Sequence, residues 1–429
     1  MMQTYEHYKD SGIDWIGQIP EHWEVSKLGN ILKPYSVKNK PHLPLLSITR
    51  EKGVILRGED PDESNHNFIP DDLSGYKHIK KGQFGMNKMK AWQGSYGYSY
   101  FEGIVSPAYY IFDISDKLYG EYFSKTIRSR AFVPFFIKAS DGVRIGQWDL
   151  SKPRMKEIPF YIPPIHEQEA IANFLDEKTA KVDALVQTKE QQIEKLKELR
   201  QAKIHQAVTK GLDANVATKD LGVEWIGEIP AHWEVKKMKS ISSKIGDGLH
   251  GTPEYDDSGE YYFINGNNLG NNKITIYNNT KLVNKKQFLL NKKPLNSQTI
   301  LLSINGTIGN VSFYNNENVM LGKSACYINL NDDINKEFIS YFLNSKSFKD
   351  YYSIVLSGST IYNLSLHSVA NVSFAYPPIH EQEVIVAYLD EVTGKIDQAI
   401  AQKQEQITKL KEYKQSLIND VVTGKVRVC

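Results

Sequence analysis

The chain has 429 residues, 41% of them hydrophobic and 24% charged, and a formal net charge of +2. Large cores are possible, and the length suggests two or three domains. Cys326 and Cys429 do not make a disulfide framework. No charged-then-apolar leader and no membrane-length apolar run stands out, so the expected setting is reducing and cytoplasmic.

The small net charge hides a division. Residues 26–160 carry 21 Lys and Arg against 14 Asp and Glu, and residues 236–376 carry 14 against 10. Both stretches are therefore basic, and the remainder of the chain is acidic. Basic stretches fit an anionic partner such as nucleic acid, and a merely solvated lysine-rich surface is the bland alternative.

The elements come in chain order, and they come twice. Tyr5 to Val25 and, later, Lys219 to Val235 form turn-rich clasps. They contain WIGQIPEHWEV from Trp15 and WIGEIPAHWEV from Trp225. Trp15, Trp23, Trp225 and Trp233 read as core anchors. A divergent insert follows each clasp. In the first, strand-like runs cover Leu43–Thr49, Tyr96–Phe101 and Ala108–Phe112, with a helix near Leu118–Ser129. In the second they cover Tyr261–Ile264, Thr299–Ile304 and Ala325–Leu330, with a helix near Asn335–Ser345. IVSPAYYI (Ile104–Ile111) and MLGKSACYI (Met320–Ile328) hold equivalent places, as do DGVRI (Asp141–Ile145) and SGSTI (Ser357–Ile361). Each insert reads as an α/β (α+β) domain with a mixed, partly antiparallel sheet.

PPIHEQE closes each insert, at Pro163 and again at Pro377, and opens a long helix free of proline to about Val208 and about Val422. Glu167 and Glu169, and Glu381 and Glu383, suit the positive end of a helix dipole. Some 40 residues at 1.5 Å each make a rod of about 60 Å. Val182, Val186, Ile193, Leu196 and Ala207 recur at heptad spacing, and so do Ile396, Ile400, Ile407, Leu410, Leu417 and Val421. Lys189, Arg200, Lys403 and Lys414 interrupt the two seams at matching places. The expected boundaries are 1–162 for the first clasp and insert, 163–212 for the central helix, 213–376 for the second clasp and insert, and 377–429 for the last helix. A pseudo-twofold, circular arrangement follows, with two reading domains held apart by two antiparallel helices.

Catalytic signatures are near misses. Gly322-Lys323-Ser324 resembles the end of a phosphate-binding loop, but the opening glycine is replaced by Glu317. His166-Glu167 and His380-Glu381 lack a second zinc-binding histidine, which would fall on Ala170 and Val384, so these histidines are expected to cap or pack. YIPPI and AYPPI lack the acid or amide of an amino-methyltransferase tetrapeptide. Glu234–Lys236 has no counterpart at Glu24-Val25-Ser26. The chain reads as a binder with no metal or cofactor of its own.

The inserts are equipped for nucleic acid. The first offers Lys88, Lys90, Trp92, Gln93, Ser95, Tyr96, Tyr98 and Tyr100, with Arg144 and Gln147 further on. The second offers Gly248, His250, Gly251 and Thr252 of GDGLHGT, then Asn265, Asn267 and Asn268, Asn305-Gly306-Thr307, Lys323, Thr360 and Asn363. Asn and Gln pair with adenine edges, Arg and Lys with guanine, and backbone amides with phosphate. Turn formation and strand packing are the competing roles for the same residues.

The order clasp, variable insert, PPIHEQE and long helix, stated twice, resembles the specificity subunit of type I restriction–modification systems over nearly the whole chain. Its carriers are the two WIG clasps, the two PPIHEQE segments with their helices, and the DGLHGTP loop. The resemblance implies two target recognition domains, each reading one half of a split double-stranded DNA site. It implies that the helices set the unread gap and bind two copies of a modification subunit. Glu167, Gln168, Glu169, Glu381, Gln382 and Glu383, with the seam residues, are the candidate partner-binding positions. S-adenosylmethionine would sit on the modification subunits, which methylate adenine, and ATP and magnesium on a motor–nuclease restriction subunit. The first insert has no clear DGLHGTP-like loop, so that contact site does not carry over to it. The rival readings are a scaffold whose inserts bind protein and a self-contained DNA enzyme.

Overall fold

A computed structural model describes residues 3–58, 69–142, 148–220, 222–356 and 362–428. The chain divides into two compact units, Met1–Glu190 with Gln404–Cys429 and, separately, Gln191–Lys403. The division cuts both long helices, Ile165–Lys210 of 46 residues and Ile379–Val422 of 44 residues. Among the described residues no helix is long and apolar enough to cross a membrane.

In the first unit the clasp is a hairpin of Tyr8–Asp10 against Gln18–Pro20. The next strand, Glu24–Lys27, pairs antiparallel with Pro159–Ile162, which leads into PPIHEQE. The two ends of the insert are thus hydrogen-bonded side by side, so its interior can diverge without disturbing the frame. The insert is built on a four-stranded antiparallel sheet. Its strands are β1 (Leu32–Tyr35), β2 (Phe84–Asn87), β3 (Tyr96–Tyr98) and β4 (Tyr109–Ile114), in the order β1-β4-β2-β3.

Side chains alternate across a strand, and here each face meets its own core. Phe84, Met86, Tyr96 and Phe112 face the helices Gly120–Ile127 and Val133–Lys138 and the clasp. Tyr109 and Ile111 face the hairpin Leu46–Thr49/Gly53–Leu56 and Ile79. At Gly85 a Cβ would lie 2.8 Å from Ile48 Cδ1, so glycine lets the second layer close.

The second unit repeats the plan. Its clasp pairs Thr218–Asp220 with Glu228–Pro230, and Glu234–Lys237 pairs with Ser373–Tyr376. Strands β5 (Ser242–Gly246), β6 (Thr299–Ser303), β7 (Val311–Phe313) and β8 (Ala325–Leu330) run in the order β5-β8-β6-β7. Every residue of β6 and β8 is buried. Ile300, Leu302, Cys326 and Ile328 face one core, and Leu301, Ala325 and Tyr327 face the other. A continuous apolar strand is what a sheet covered on both sides requires. Parallel pairing enters where Tyr261–Ile264 meets Val319–Leu321.

The expected elements are present with shifted ends. The run from Leu43 becomes a strand only at Leu46; before it, Leu43 N bonds the Lys40 carbonyl in a turn and Leu45 makes an isolated parallel bridge to Ile104. The run from Tyr96 stops at Tyr98, where Ser99 Oγ accepts from Phe101 N in a side-chain turn. The two expected helices are Gly120–Ile127 and Lys336–Leu343, and Asn335 caps the latter through Phe338 N. Helices Val133–Lys138, Lys285–Asn291 and Lys346–Leu356 were not anticipated. DGVRI and SGSTI lie largely or wholly outside the described residues.

Candidate nucleic-acid interface

The repeated motifs meet each other, and this determines which surfaces remain for a ligand. Trp23 is fully buried and donates from Nε1 to Glu167 Oε2 at 3.1 Å, Tyr5 donates its hydroxyl to the same oxygen at 3.1 Å, and His22 Nε2 lies 2.6 Å from Glu167 Oε1. The second unit repeats this with Trp233 on Glu381 Oε2 at 2.9 Å and His232 on Oε1 at 2.7 Å. Gln168 Nε2 donates to the Pro163 carbonyl at 2.9 Å and Gln382 Nε2 to the Pro377 carbonyl at 2.8 Å. The doubled WIG and PPIHEQE segments are therefore two halves of one joint between clasp and helix.

That joint corrects part of the partner-binding set. Glu167, Gln168 and Gln382 are buried within their own unit, and Glu381 is held by its clasp, whereas Glu169 and Glu383 stay exposed. His166 and His380, expected to cap or pack, are exposed; the clasp histidines bind the carboxylates instead.

The heptad seams are also used within the chain. In the first unit Lys189 donates to Gln406 Oε1 at 2.7 Å, and Lys414 Nζ lies 2.7 Å from both oxygens of Asp183. In the second unit Lys403 donates to Gln192 at 2.7 Å and Arg200 Nε to Asp397 at 3.0 Å. All four interruptions of the seams are thus polar contacts between antiparallel helices. Val182, Val186, Ile193, Ile396 and Leu417 are buried, and Leu196, Ile400, Ile407 and Leu410 are half-buried. These residues pack along the helix pair, and a partner would meet the outward faces.

In the second unit the candidate DNA-contacting segments converge. Leu249 of the GDGLHGT loop bridges to Gly322, with its N donating to the Leu321 carbonyl at 2.8 Å. At Gly248 a Cβ would sit 2.0 Å from the Leu321 oxygen, so only glycine allows this approach. Ser324 then ties in the next two loops. Its Oγ accepts from Gly266 N at 2.8 Å and donates to Asn265 Oδ1 at 3.0 Å, while its carbonyl accepts from Ile304 N at 3.1 Å. Asn305 bridges to Asn363. His250, Gly251, Thr252, Asn267, Thr307, Lys323 and Asn363 are exposed at this corner, and Asn265 and Asn305 are half-buried. Asp247, which fixes His250 Nε2 at 2.7 Å, and Tyr362, 72% exposed, join them without having been singled out from sequence. Asn268 is buried, with its amide used by Asn265 N and the Thr275 carbonyl, so it is a structural residue.

The first unit builds the same corner from other residues. Asn87 N bonds Ser95 O at 2.9 Å as Ser303 N bonds Asn310 O at 2.9 Å. The stretch from Lys88 to Ser95 and the Asn305-Gly306-Thr307 loop are therefore equivalent hairpin tips, β2 to β3 and β6 to β7. A cavity of about 320 Å³ opens beside this tip, lined by residues including Arg57, Tyr76, Asn87, Lys90 and Ser106. Lys90 is exposed, and Lys88, Trp92, Gln93 and Tyr98 are half-buried. Trp92 packs on Trp148 at 5.1 Å between ring centroids, and Lys88 pairs with Asp149 at 3.1 Å. Tyr96 and Ser95, expected at the DNA, are instead buried, and the Tyr96 ring packs at a tilt 4.2 Å from Phe136 in the core. Arg144, Gln147 and Thr360 lie outside the described residues.

Sequence inspection missed a lysine cluster. The Lys77 ammonium is pushed below its usual value by burial and then by the positive charges of Lys152, Lys38 and Lys88. Lys152 Nζ sits 4.1 Å from the Tyr110 ring centre, and Lys77 5.9 Å. An anion placed among these cations relieves their mutual repulsion. The four are distant in sequence, so no local pattern announces them.

One repeated frame carrying two unlike surface corners is the build of a recognition protein with two readers. The sequence profile of the type I restriction modification DNA specificity domain family matches residues 126–195 and 230–409, more than half of the chain. The chain belongs to this family and is a DNA-specificity protein, a recognition component rather than a catalytic one. It is 26% identical to the type I restriction enzyme MjaVIII specificity subunit of Methanocaldococcus jannaschii, over 96% of this chain and 94% of that one. It is 23% identical to the putative MjaX specificity subunit of the same organism, over 100% and 99%. Two solved structures share the fold. One, from a study of complex assembly and conformational transition of the type I R-M system, has a TM-score of 0.69 at 16% identity, covering 94% of this chain and 98% of that one. The other, the HsdS subunit from Thermoanaerobacter tengcongensis, has a TM-score of 0.53 at 15% identity, covering 95% and 98%.

Proposed function

We propose that each unit reads one half of a split, asymmetric DNA site, and that the long helices set the unread gap and dock two copies of a modification subunit. The observation that carries this reading is the equivalence of the two hairpin-tip corners in topology and their difference in chemistry. One is lysine- and tryptophan-rich, and the other is built from asparagine, glycine and histidine. Equal frames with unequal surfaces read unequal half-sites. Lysines neutralise phosphates and give salt-sensitive affinity. Side chains at the corners select base edges, each good pair contributing about 1–3 kcal/mol.

The seams and the glutamates Glu167 and Glu381 are used internally, so docking falls to the outward helix faces. These carry Glu169, Glu383, Glu190, Glu194 and Lys195, with exposed Leu185, Leu199, Val384 and Tyr413. S-adenosylmethionine would be held by the modification subunits, and ATP and magnesium by a restriction subunit, in the cytoplasm. The test is to replace residues 26–160 with an unrelated insert and map methylated adenines genome-wide. One half-site is expected to change and the other to persist; a change in both would reject independent readers.

A further inference from the structure

We propose that Asn265 reads DNA as a hydrogen-bond donor only, and so contacts an acceptor atom rather than pairing with adenine in the two-bond manner open to a free asparagine. The inference rests on the second unit being a DNA reader and concerns what one residue of that reader can recognise.

The argument starts from which end of the amide faces inward. Asn265 precedes a short turn of helix, Gly266–Asn268; Asn268 N donates to the Asn265 backbone carbonyl at 2.9 Å, and the Asn265 side chain faces the same amide in a capping box. A backbone amide can only donate, so the atom facing it is Oδ1 and the usual ambiguity of an amide's orientation is resolved. Ser324 fits the same orientation. Its hydroxyl oxygen is already an acceptor for Gly266 N at 2.8 Å, and its proton goes to Asn265 Oδ1 at 3.0 Å. Oδ1 is therefore held by the Ser324 hydroxyl on the side that faces the Asn268 amide. Gly322 adds a steric wall, because a Cβ there would lie 2.3 Å from the same oxygen.

The other end is open. Asn265 is half-buried, and Nδ2 has no partner among the described residues and is not one of the sealed, unsatisfied side-chain atoms. It belongs to the same corner as exposed His250, Asn267 and Lys323. Two-bond recognition of adenine needs Oδ1 to accept from the base N6 amino group while Nδ2 donates to N7. Here Oδ1 is taken by Ser324 and walled in by Gly322, so a base amino group would have to displace the bond that pins two loops together. What remains is an N–H donor, which suits the N7 of either purine, guanine O6, thymine O4 or a phosphate oxygen, but makes no bond to the adenine N6 amino group.

Asn265→Asp is the direct test. The carboxylate still accepts from Ser324 Oγ, but it presents an acceptor outward where the wild type presents a donor. Asn265→Ser keeps an acceptor for the Asn268 amide and removes the outward donor without adding charge. Both are compared with the wild type, as full-length chain co-purified with its modification partners, by selection from randomised DNA duplexes and by thermal melting. If the acceptor is on a base, preference falls by about ten-fold or more at one position of one half-site. Asn265→Asp then turns that position toward a base presenting an amino group. If the acceptor is a phosphate oxygen, both variants lose affinity alike on every sequence. Unchanged selectivity and affinity in two variants that melt like the wild type would overturn the inference. So would a wild-type requirement for adenine over guanine at the affected position. A wild type that selects no sequence at all would instead remove the DNA-reading assignment beneath it.

Discussion

Lys414 Nζ lies 2.7 Å from both carboxylate oxygens of Asp183, tying the second long helix to the first. The Lys189–Gln406 contact continues the same antiparallel register, and in the other unit Lys403–Gln192 and Arg200–Asp397 do so again. Two of these contacts are ion pairs and two are lysine–amide hydrogen bonds, and exposed pairs contribute at most about 1 kcal/mol each. Their value is in register, because a helix shifted by one residue would lose them together. Inserting one heptad after Glu190 and another after Lys403 preserves every one of these pairs. Seven residues add about 10 Å of helix, close to three base pairs at about 3.4 Å each along DNA. The expected outcome is a recognition site with unchanged half-sites and a gap longer by about three base pairs, read by mapping modified adenines. Insertion in one helix alone is expected to lower stability, because seam and polar contacts no longer align. Retained binding with an unchanged gap would reject the ruler.

Glu167 and Glu381 hold equivalent joints with different degrees of burial, their side chains being 9% and 30% exposed. Glu167→Ala leaves the fully buried Trp23 Nε1 without its acceptor, at a cost of about 1–3 kcal/mol, and removes one hydrogen bond of the Tyr5 hydroxyl. Glu381→Ala leaves Trp233 Nε1 alone in a wetter site and is expected to cost less. Urea unfolding followed by tryptophan fluorescence separates the two, since each joint contains its own buried indole. Acidity adds a signature in the second joint. Burial opposes ionisation of Glu381, but hydrogen bonds from Trp233 and His232 and the nearby His232 and His380 charges outweigh it, so the carboxyl titrates below its ordinary value of 4.5. A depressed folded value means that the contribution is present above the unfolded value and is lost as pH falls through the folded one. Destabilisation by Glu381→Gln is therefore expected to be greatest near neutrality and to fade below about pH 4.

Tyr96 shows how a residue that looks available for a ligand can belong to the core. Its ring is 1% exposed against Phe136, and its hydroxyl is buried with no partner among the described residues. Removing an unsatisfied buried hydroxyl while keeping the ring relieves a desolvation penalty of about 1–3 kcal/mol. Tyr96→Phe is thus expected to be neutral or stabilising, with the DNA sequence read left unchanged. Tyr96→Ala is expected to lose about 3–5 kcal/mol through the cavity it leaves. A Tyr96→Phe protein that melts normally but reads a different half-site would return this residue to the interface.

The frame was legible because duplication printed it twice. Trp23 with Glu167 and Trp233 with Glu381 are four residues whose type is set by one joint, so they persist while the inserts drift. The heptads were legible for the same reason, and even the interruptions at Lys189 and Lys403 matched. Sequence did not reveal that the conspicuous glutamates and the seams are turned inward, because an N-terminal carboxylate suits a helix dipole whether it faces a clasp or a partner. Nor could it rank the tyrosines: alternation places Tyr96 and Tyr98 on one face but does not say which is sealed by Phe136. The convergence of His250, Asn265, Asn305, Lys323 and Asn363 depends on Ser324, an unremarkable residue until its three hydrogen bonds are seen.

The lysine cluster of the first unit gives the clearest separation of affinity from specificity. Lys38 and Lys152 are exposed, and with Lys88 they depress the Lys77 ammonium beyond the effect of its burial. Lys38, Lys77, Lys152 and Lys88, the last of them paired with Asp149, make this face of the unit basic and attractive to phosphate, but point charges on flexible stems carry no base code. Lys38→Ala with Lys152→Ala is expected to weaken binding to all sequences alike. Each phosphate contact contributes about 0.9 to the slope of log affinity against log salt, so the double variant's slope should be shallower by about two. The selected half-sites should be those of the wild type. Lys77, which also donates to the Tyr109 carbonyl at 2.6 Å, is a poorer probe because its loss would disturb β4. A wild-type salt slope in the double variant would place the DNA on another face of the unit, whereas a shifted base preference would make these lysines base readers.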